Sequence, residues 1–331
     1  MGWKIQWKIA DILEKSEDDG IDRSEAMALL SMDLHSRETY ALMETADRLS
    51  REAFGKKGEN HLHIGVNLEP CPLNCRFCSL AQSAGIFTEK IEFELPLILQ
   101  WAQQGEKNGV DALNIMTTGT YSFARLLELG KVLKKTVDVP LVANTRDISH
   151  REGEALLAAG FVGAYHALRL GEGRDTPLNR ERRIRTIEVF ADVGLQWMNC
   201  VEPVGPEHSK DELLDLMYLA REHGAVYSGV MRRVNFPGSP MAVHGMITEF
   251  EMARMVAVSR LIMGRGPRAH CTHEPHTASL TAGANLFFPE KGSSPRDCAA
   301  DTGKGRAMDA PACRNLHWET GWDPDLPSNC F

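Results

Sequence analysis

Apolar residues recur at helical spacing through the first sixty positions, in the segments IADILEKS, SEAMALLSM and RETYALMETADRLSREAF. Leu42, Ala46 and Leu49 share one helical face of the last segment, and Asp22 with Glu25 supplies an acidic start signal before Ala26. From residue 61 the pattern changes to short apolar runs separated by amphipathic stretches. Strands are predicted over 61–67, 112–118, 140–145, 163–168, 196–201, 226–231, 267–272 and 284–288. Helices are predicted between them over 93–107, 123–135, 150–159, 180–193, 210–223 and 248–263. Strand–helix alternation of this kind gives parallel pairing, so the predicted class is α/β: a (β/α)8 TIM-type barrel over 61–288, with an N-terminal helical extension over 1–60. Positions 289–331 carry Gly, Pro and Asp without periodicity and are expected to form an irregular C-terminal tail. In such a barrel, chemistry sits at the carboxyl ends of the strands.

Composition narrows the partners. Lys and Arg number 37 against 45 Asp and Glu, a net charge of −8, and no basic block occurs. A phosphate-binding face is therefore absent from the reading, and no nucleic-acid partner is expected. The longest apolar runs, such as 93–101, are too short and interrupted to span a bilayer. The N-terminus shows no apolar h-region, and Gln6 stands where a myristoylation signal needs Ser or Thr. A cytoplasmic location is expected. Eight cysteines in such a chain point to metal ligands or buried hydrophobes before disulfides.

Three of those cysteines follow the first predicted strand in Glu69-Pro-Cys71-Pro-Leu-Asn-Cys75-Arg-Phe-Cys78. Three thiolates at this spacing can hold three irons of a cubane and leave the fourth open. Phe77 is placed to cover such a cluster and limit solvent. The alternative is a zinc knuckle, which needs a fourth ligand; His61 and His63 on the preceding strand are the candidates.

A three-cysteine loop at the mouth of strand one resembles the radical S-adenosylmethionine superfamily. That resemblance implies a 4Fe–4S cluster whose open iron chelates S-adenosylmethionine, reductive cleavage to a 5′-deoxyadenosyl radical, and hydrogen abstraction from substrate. From about residue 25 to 290 the likeness narrows. The segments ALRLGEGRDTPLNRERRIRTIEVFADVGL (167–195), RRVNFPGSPM (232–241) and TAGANLFF (281–288) resemble biotin synthase and its relatives. Those relatives include the FeFe-hydrogenase maturase, methylornithine synthase and archaeal-type lipoyl synthases. By position, the resemblance implies that Thr117, Thr118 and Gly119 meet the cofactor's amino group and that Arg183 pairs with its carboxylate. Arg169 and Glu172 fall where ribose or carboxylate is held, and the segment 201–206, beginning at Val201, lies beside adenine. Each has a plainer reading. Arg183 stands among Arg180, Arg182 and Arg185, as a solvated face would; Gly119 can simply end a strand, and Glu172 can be a turn acid.

The departures concern the second cluster. Biotin synthase holds a sulfur-donating 2Fe–2S cluster with three cysteines and an arginine inside its barrel. Here Ile115/Met116, Ala143/Asn144 and Met198 occupy the cysteine places, and only Arg268 matches. Cysteines occur instead at predicted strand ends (Cys200 and Cys271) and in the tail (Cys298, Cys313 and Cys330). The tail trio is expected to bind a second Fe–S cluster, which would order a segment too polar to fold by burial. Arg268, His270, Cys200 and Cys271 are candidate substrate contacts, while His276 suits a helix cap or a surface position. The leading expectation is a transferase of cofactor biosynthesis that inserts sulfur into a small-molecule or lipoyl/acyl-type substrate, with reduced flavodoxin or ferredoxin as electron donor. The alternatives are rearrangement or fragmentation of an amino-acid-derived substrate, and a non-catalytic Fe–S scaffold.

Overall fold

The computed structural model describes residues 6–331; the reading of the extreme N-terminus as free of acylation falls on residues that lie partly outside them. Eight parallel strands close into a barrel: β1 Glu59–Gly65, β2 Ala112–Met116, β3 Leu141–Asn144, β4 Phe161–Tyr165, β5 Gln196–Met198, β6 Tyr227–Arg232, β7 Ala269–Cys271 and β8 Leu286–Phe287. Pairing runs in sequence order and ends with β8 on β1, at Glu59↔Leu286 and Asn60↔Phe287. Helices α1 Trp7–Asp19, α2 Arg23–Leu30 and α3 Arg37–Phe54 precede the barrel. Around it lie α4 Leu95–Lys107, α5 Phe123–Leu133, α6 His150–Ala158, α7 Arg180–Val193, α8 Lys210–Glu222, α9 Glu249–Met263 and the short α10 Thr277–Leu280. Among the described residues, no helix is long and apolar enough to cross a membrane.

Local chemistry sets these boundaries. Asp22, Ser149, Ser209 and Thr248 each accept a bond from the backbone N–H of a glutamate three residues on, and that glutamate bonds back to the cap. These capping boxes satisfy helix-end donors that would otherwise lack partners. The predicted fifth strand divides: β5 stops at Met198, and Val201–Val204 forms a separate strand on the outer end of β6. Asn199 and Cys200 take up the turn between them.

The tail is more regular than its pattern predicts. Glu290–Gly292 adds a strand to β1, pairing Glu290 with His63. Helix α11, Ala310–Glu319, follows an Asp309 cap with Pro311 in its first turn. Trp322 is fully buried; its Nε1 donates to Leu280 O (3.0 Å) and the Arg51 guanidinium lies 4.3 Å from its ring centroid. Apolar burial therefore contributes to ordering this segment.

Buried histidines set a pH dependence, His270, His166 and His317 among them. Burial pushes His270 down to about 3, and His166 and His317 to about 4, from an ordinary 6.5. Between pH 6.5 and about 4 the unfolded chain binds protons that the folded chain refuses, so stability falls as pH drops through that window. Asp111, raised by burial to about 6 from 3.8, opposes this with one proton. Urea unfolding is expected to show roughly 4 kcal/mol less stability at pH 5 than at pH 7. His270→Gln should flatten the slope; a flat profile in the unaltered chain would contradict the account.

Candidate active site

The cradle loop leaves β1 at its carboxyl end. Asn74 adopts φ 49° at its apex, a conformation asparagine tolerates, and its side chain accepts from Ser83 N (2.8 Å). Cys71 N donates to Leu80 O (2.8 Å) and Cys78 N to Cys75 O (3.0 Å), which draws the loop into a tight turn. Two outside anchors hold it. Arg76 N donates to Asp175 O (2.8 Å) and its guanidinium pairs with the Asp175 carboxylate (2.9 Å); Ser79 N donates to Pro295 O (2.8 Å) from the tail.

Cys71, Cys75, Cys78 and Phe77 all line one cavity of about 500 Å³. Burial pushes the Cys78 thiol up to about 12, helped by Cys75, and raises Cys75 in spite of its 3.0 Å contact to Thr176 Oγ1. Converging thiols that resist ionisation are stable as thiolates only with a metal to displace their protons. The carboxyl end of β2 faces them. A Cβ at Gly119 would lie 2.5 Å from Leu73 Cδ1 and 3.8 Å from Cys71 Sγ, so a side chain there would have to push the end of Leu73 aside beside the cradle. Thr118 donates its hydroxyl to Glu69, and its backbone and side chain both bond Asn67 (3.1 and 2.8 Å). The cradle and the end of β2 are thus one hydrogen-bonded unit, and the donor set fits a thiolate-bound cubane.

Across the cavity, Arg183 is buried rather than part of a solvated face. Its Nε and Nη2 donate to Ala167 O (3.1 and 2.7 Å), Nη1 pairs with Asp147 (3.2 Å), and Nε stands 3.4 Å from Glu172. Burial lowers it to about 10. Removing it would take from Asp147 and Glu172 their buried guanidinium and from Ala167 O both of its guanidinium donors. Arg183→Met is therefore expected to cost about 3–5 kcal/mol of stability, measured by urea unfolding; unaltered stability would return it to the solvated face.

The deep wall is strongly polar. Arg169 pairs with Glu202, and Arg296 from the tail with Glu290. His273 lies between the two carboxylates, its Nδ1 3.8 Å from Glu202 and its Nε2 3.9 Å from Glu290. His63 stacks edge-on at 4.6 Å and accepts from Asn114 Nδ2 (2.6 Å). Burial, then the positive charge of Arg296, holds both imidazoles well below their ordinary range. Both ring nitrogens of His273, Tyr165 Oη, Glu202 Oε2 and Glu290 Oε2 lack hydrogen-bond partners among the described residues. An unmet buried polar atom costs about 1–3 kcal/mol, so this wall awaits a polar occupant.

Cys71, Cys75, Cys78, Phe77, Thr117, Thr118, Gly119, Arg169 and Arg183 thus share the cavity. Glu172 stands behind it, accepting from Arg169 N (2.9 Å) and facing Arg183. Val201 is in the core, while its neighbours Glu202 and Pro203 line the cavity.

Other expectations need correction. His270 points outward, its Nε2 at 3.0 Å from Val256 O of α9, because strand alternation sends Ala269 and Cys271 inward. Arg268 precedes β7, at the opposite end of the barrel, and donates to Cys330 O (3.1 Å). Cys200 and Cys271 are packed in the apolar barrel interior, and neither lines the cavity. The tail cysteines do not converge: Cys298 is exposed, Cys313 faces the main core from α11, and Cys330 is packed in the barrel interior. Each packs where its own segment buries apolar surface, so the trio forms no cluster cradle. His276 does cap α10. The sequence reading missed Glu69, Tyr165, Glu202, Glu290 and Arg296, and weighed His63 only as a zinc ligand. Position beside the cysteine motif was the available signal for Glu69, and inward strand parity for His63 and Tyr165.

No protein-family profile matches the chain. It is 24% identical to a biotin synthase of Acetivibrio thermocellus over 299 residues, covering 84% of this chain and 90% of that one. A biotin synthase of Desulforudis audaxviator is 25% identical over 320 residues, covering 92% and 94%. Among solved structures, methylornithine synthase superposes with a TM-score of 0.79 at 13% identity, over 96% of this chain and 97% of that one. The FeFe-hydrogenase maturase HydG of Carboxydothermus hydrogenoformans gives 0.79 at 15%, over 98% and 80%. With the cradle at the mouth of β1, these likenesses support the radical S-adenosylmethionine superfamily and, within it, the biotin synthase-like branch.

Proposed function

We propose that this chain is an enzyme that removes a hydrogen atom from a small polar molecule seated between the Arg169–Glu202 and Glu290–Arg296 pairs. The observation that carries this reading is the wall of unpaired buried polar atoms around His273, which a saturated acyl chain would leave unmet. Cys71, Cys75 and Cys78 would hold a 4Fe–4S cluster, and Thr117, Thr118, Gly119, Arg169 and Arg183 would hold S-adenosylmethionine. Together those groups supply a 5′-deoxyadenosyl radical when bound. The chain's own part is to hold both reactants in register and keep water out. Glu69 and Asn67 fix Thr118, Phe77 shields the cradle, and Glu172 positions Arg183 and the Arg169 backbone. The division into extension (1–60), barrel (61–288) and tail (289–331) belongs to this reading, with the tail supplying Arg296. Reduced flavodoxin or ferredoxin is the proposed electron donor. Such a substrate fits rearrangement or fragmentation of an amino-acid-derived molecule.

Sulfur insertion is the second reading. It is supported by the likeness to biotin synthases at 24–25% identity over most of the chain. Iron content separates the two: about four irons per chain for one cubane, about eight where a second is present. The substrate test is anaerobic turnover with perdeuterated amino acids in one arm and perdeuterated octanoyl or thioether precursors in the other. Deuterium in 5′-deoxyadenosine from the amino-acid arm supports the first reading. Deuterium from the acyl arm, with a sulfur-containing product, overturns it.

A further inference from the structure

The amino-terminal end of the barrel, opposite the cavity, gathers a second group of ligand-type side chains. Glu59 opens β1 and His61 follows two residues later, so strand alternation turns both the same way. Cys330 comes to them from the end of the tail. One donor atom of each lies within 4.8 Å of the others, and no other trio of His, Cys, Asp or Glu among the described residues does this. All three are fully buried.

His61 makes the group more than a packing accident. Neither of its ring nitrogens has a hydrogen-bond partner among the described residues, although Nε2 stands 3.4 Å from Glu59 Oε2. Tyr227, Phe288 and Phe331 surround the ring at centroid distances of 5.4, 6.3 and 5.5 Å. The Glu59 carboxylate is oriented by Ser328 Oγ (2.9 Å) and Asn329 N (2.7 Å), the residues that deliver Cys330. Burial first, then Glu59 and Asp111, holds the Cys330 thiol well above its ordinary range. The nearby cations are engaged elsewhere: Lys57 with Asp111 (2.7 Å) and Pro324 O (3.0 Å), and Arg268 with the Cys330 carbonyl (3.1 Å).

We propose that Glu59, His61 and Cys330 form a mononuclear zinc site that pins the end of the tail to the base of the barrel. One imidazole nitrogen, one carboxylate oxygen and one thiolate make a donor set suited to borderline-soft Zn²⁺, with a fourth position for water or a neighbouring oxygen. Binding exchanges the Cys330 thiol proton for the metal and involves no redox step. The site is structural and lies outside the cavity, so it stands apart from the proposed reaction.

The test uses the full chain with its iron–sulfur cluster reconstituted anaerobically, so that Cys71, Cys75 and Cys78 are occupied. Zn²⁺ is added, weakly held metal is removed on a chelating column, and zinc is counted by elemental analysis. One zinc per chain is expected in the unaltered protein and in Cys298→Ala. Cys330→Ala should bind at least about 100-fold more weakly and retain none. Zinc-edge X-ray absorption of the unaltered protein guards against a variant that fails to fold. One sulfur near ~2.3 Å with nitrogen and oxygen near ~2.0 Å is expected. No retained zinc, full retention by Cys330→Ala, or a shell of several sulfurs would each overturn the proposal.

Discussion

Replacing any one of Cys71, Cys75 or Cys78 with alanine should reduce cluster iron from about four atoms per chain towards none and abolish S-adenosylmethionine cleavage. The reason is local. Each thiol lies on a single turn tied by Cys71 N to Leu80 O and Cys78 N to Cys75 O, and no fourth cysteine lines the cavity to replace a lost one. Folding should survive, because the loop is anchored independently by Arg76 on Asp175 and by Ser79 on Pro295. Iron and sulfide analysis, with far-ultraviolet circular dichroism as the folding control, checks both halves. Wild-type iron content in any of the three variants would contradict the assignment of the cradle.

Gly65→Ala should lower stability by about 3 kcal/mol and turnover with it. The carboxyl end of β1 touches the tail strand here: Ser293 N donates to Gly65 O (3.1 Å), and Gly65 pairs with Gly292. A Cβ on Gly65 would collide with the Ser293 backbone oxygen, which cannot swing away as a side chain could. The displaced segment carries Glu290 and Arg296 in the cavity wall and Pro295 beneath the cradle, so one methyl group disturbs all three. Gly266→Ala is the control: its Cβ would meet only Met263 O at 3.7 Å, and its effect should stay within about 0.5 kcal/mol. Equal urea midpoints for the two variants would remove the argument.

The parts of this molecule legible in its sequence are those fixed by local spacing. The cradle is one, because three cysteines within eight positions must meet whatever surrounds them. The barrel is another, since β1 to β8 all fall within or beside predicted apolar runs. Arg183 was obscured by its charged neighbours, although it shares a helical face with the buried Ile187 and Phe190. The same holds for Ala310, Cys313 and His317 in α11, whose buried stripe is diluted by Pro311 and polar residues. Arg296 and Glu290 were not legible at all. They reach the cavity only because the tail pairs with β1, a contact across more than two hundred residues that no window of sequence contains.

The measurement closest to the central claim is the fate of S-adenosylmethionine with the reduced, unaltered chain. Under anaerobic reduction, the protein should convert it to 5′-deoxyadenosine and methionine in equal amounts, beyond the yield of reductant alone. Absence of 5′-deoxyadenosine from a preparation carrying about four irons per chain would contradict the account.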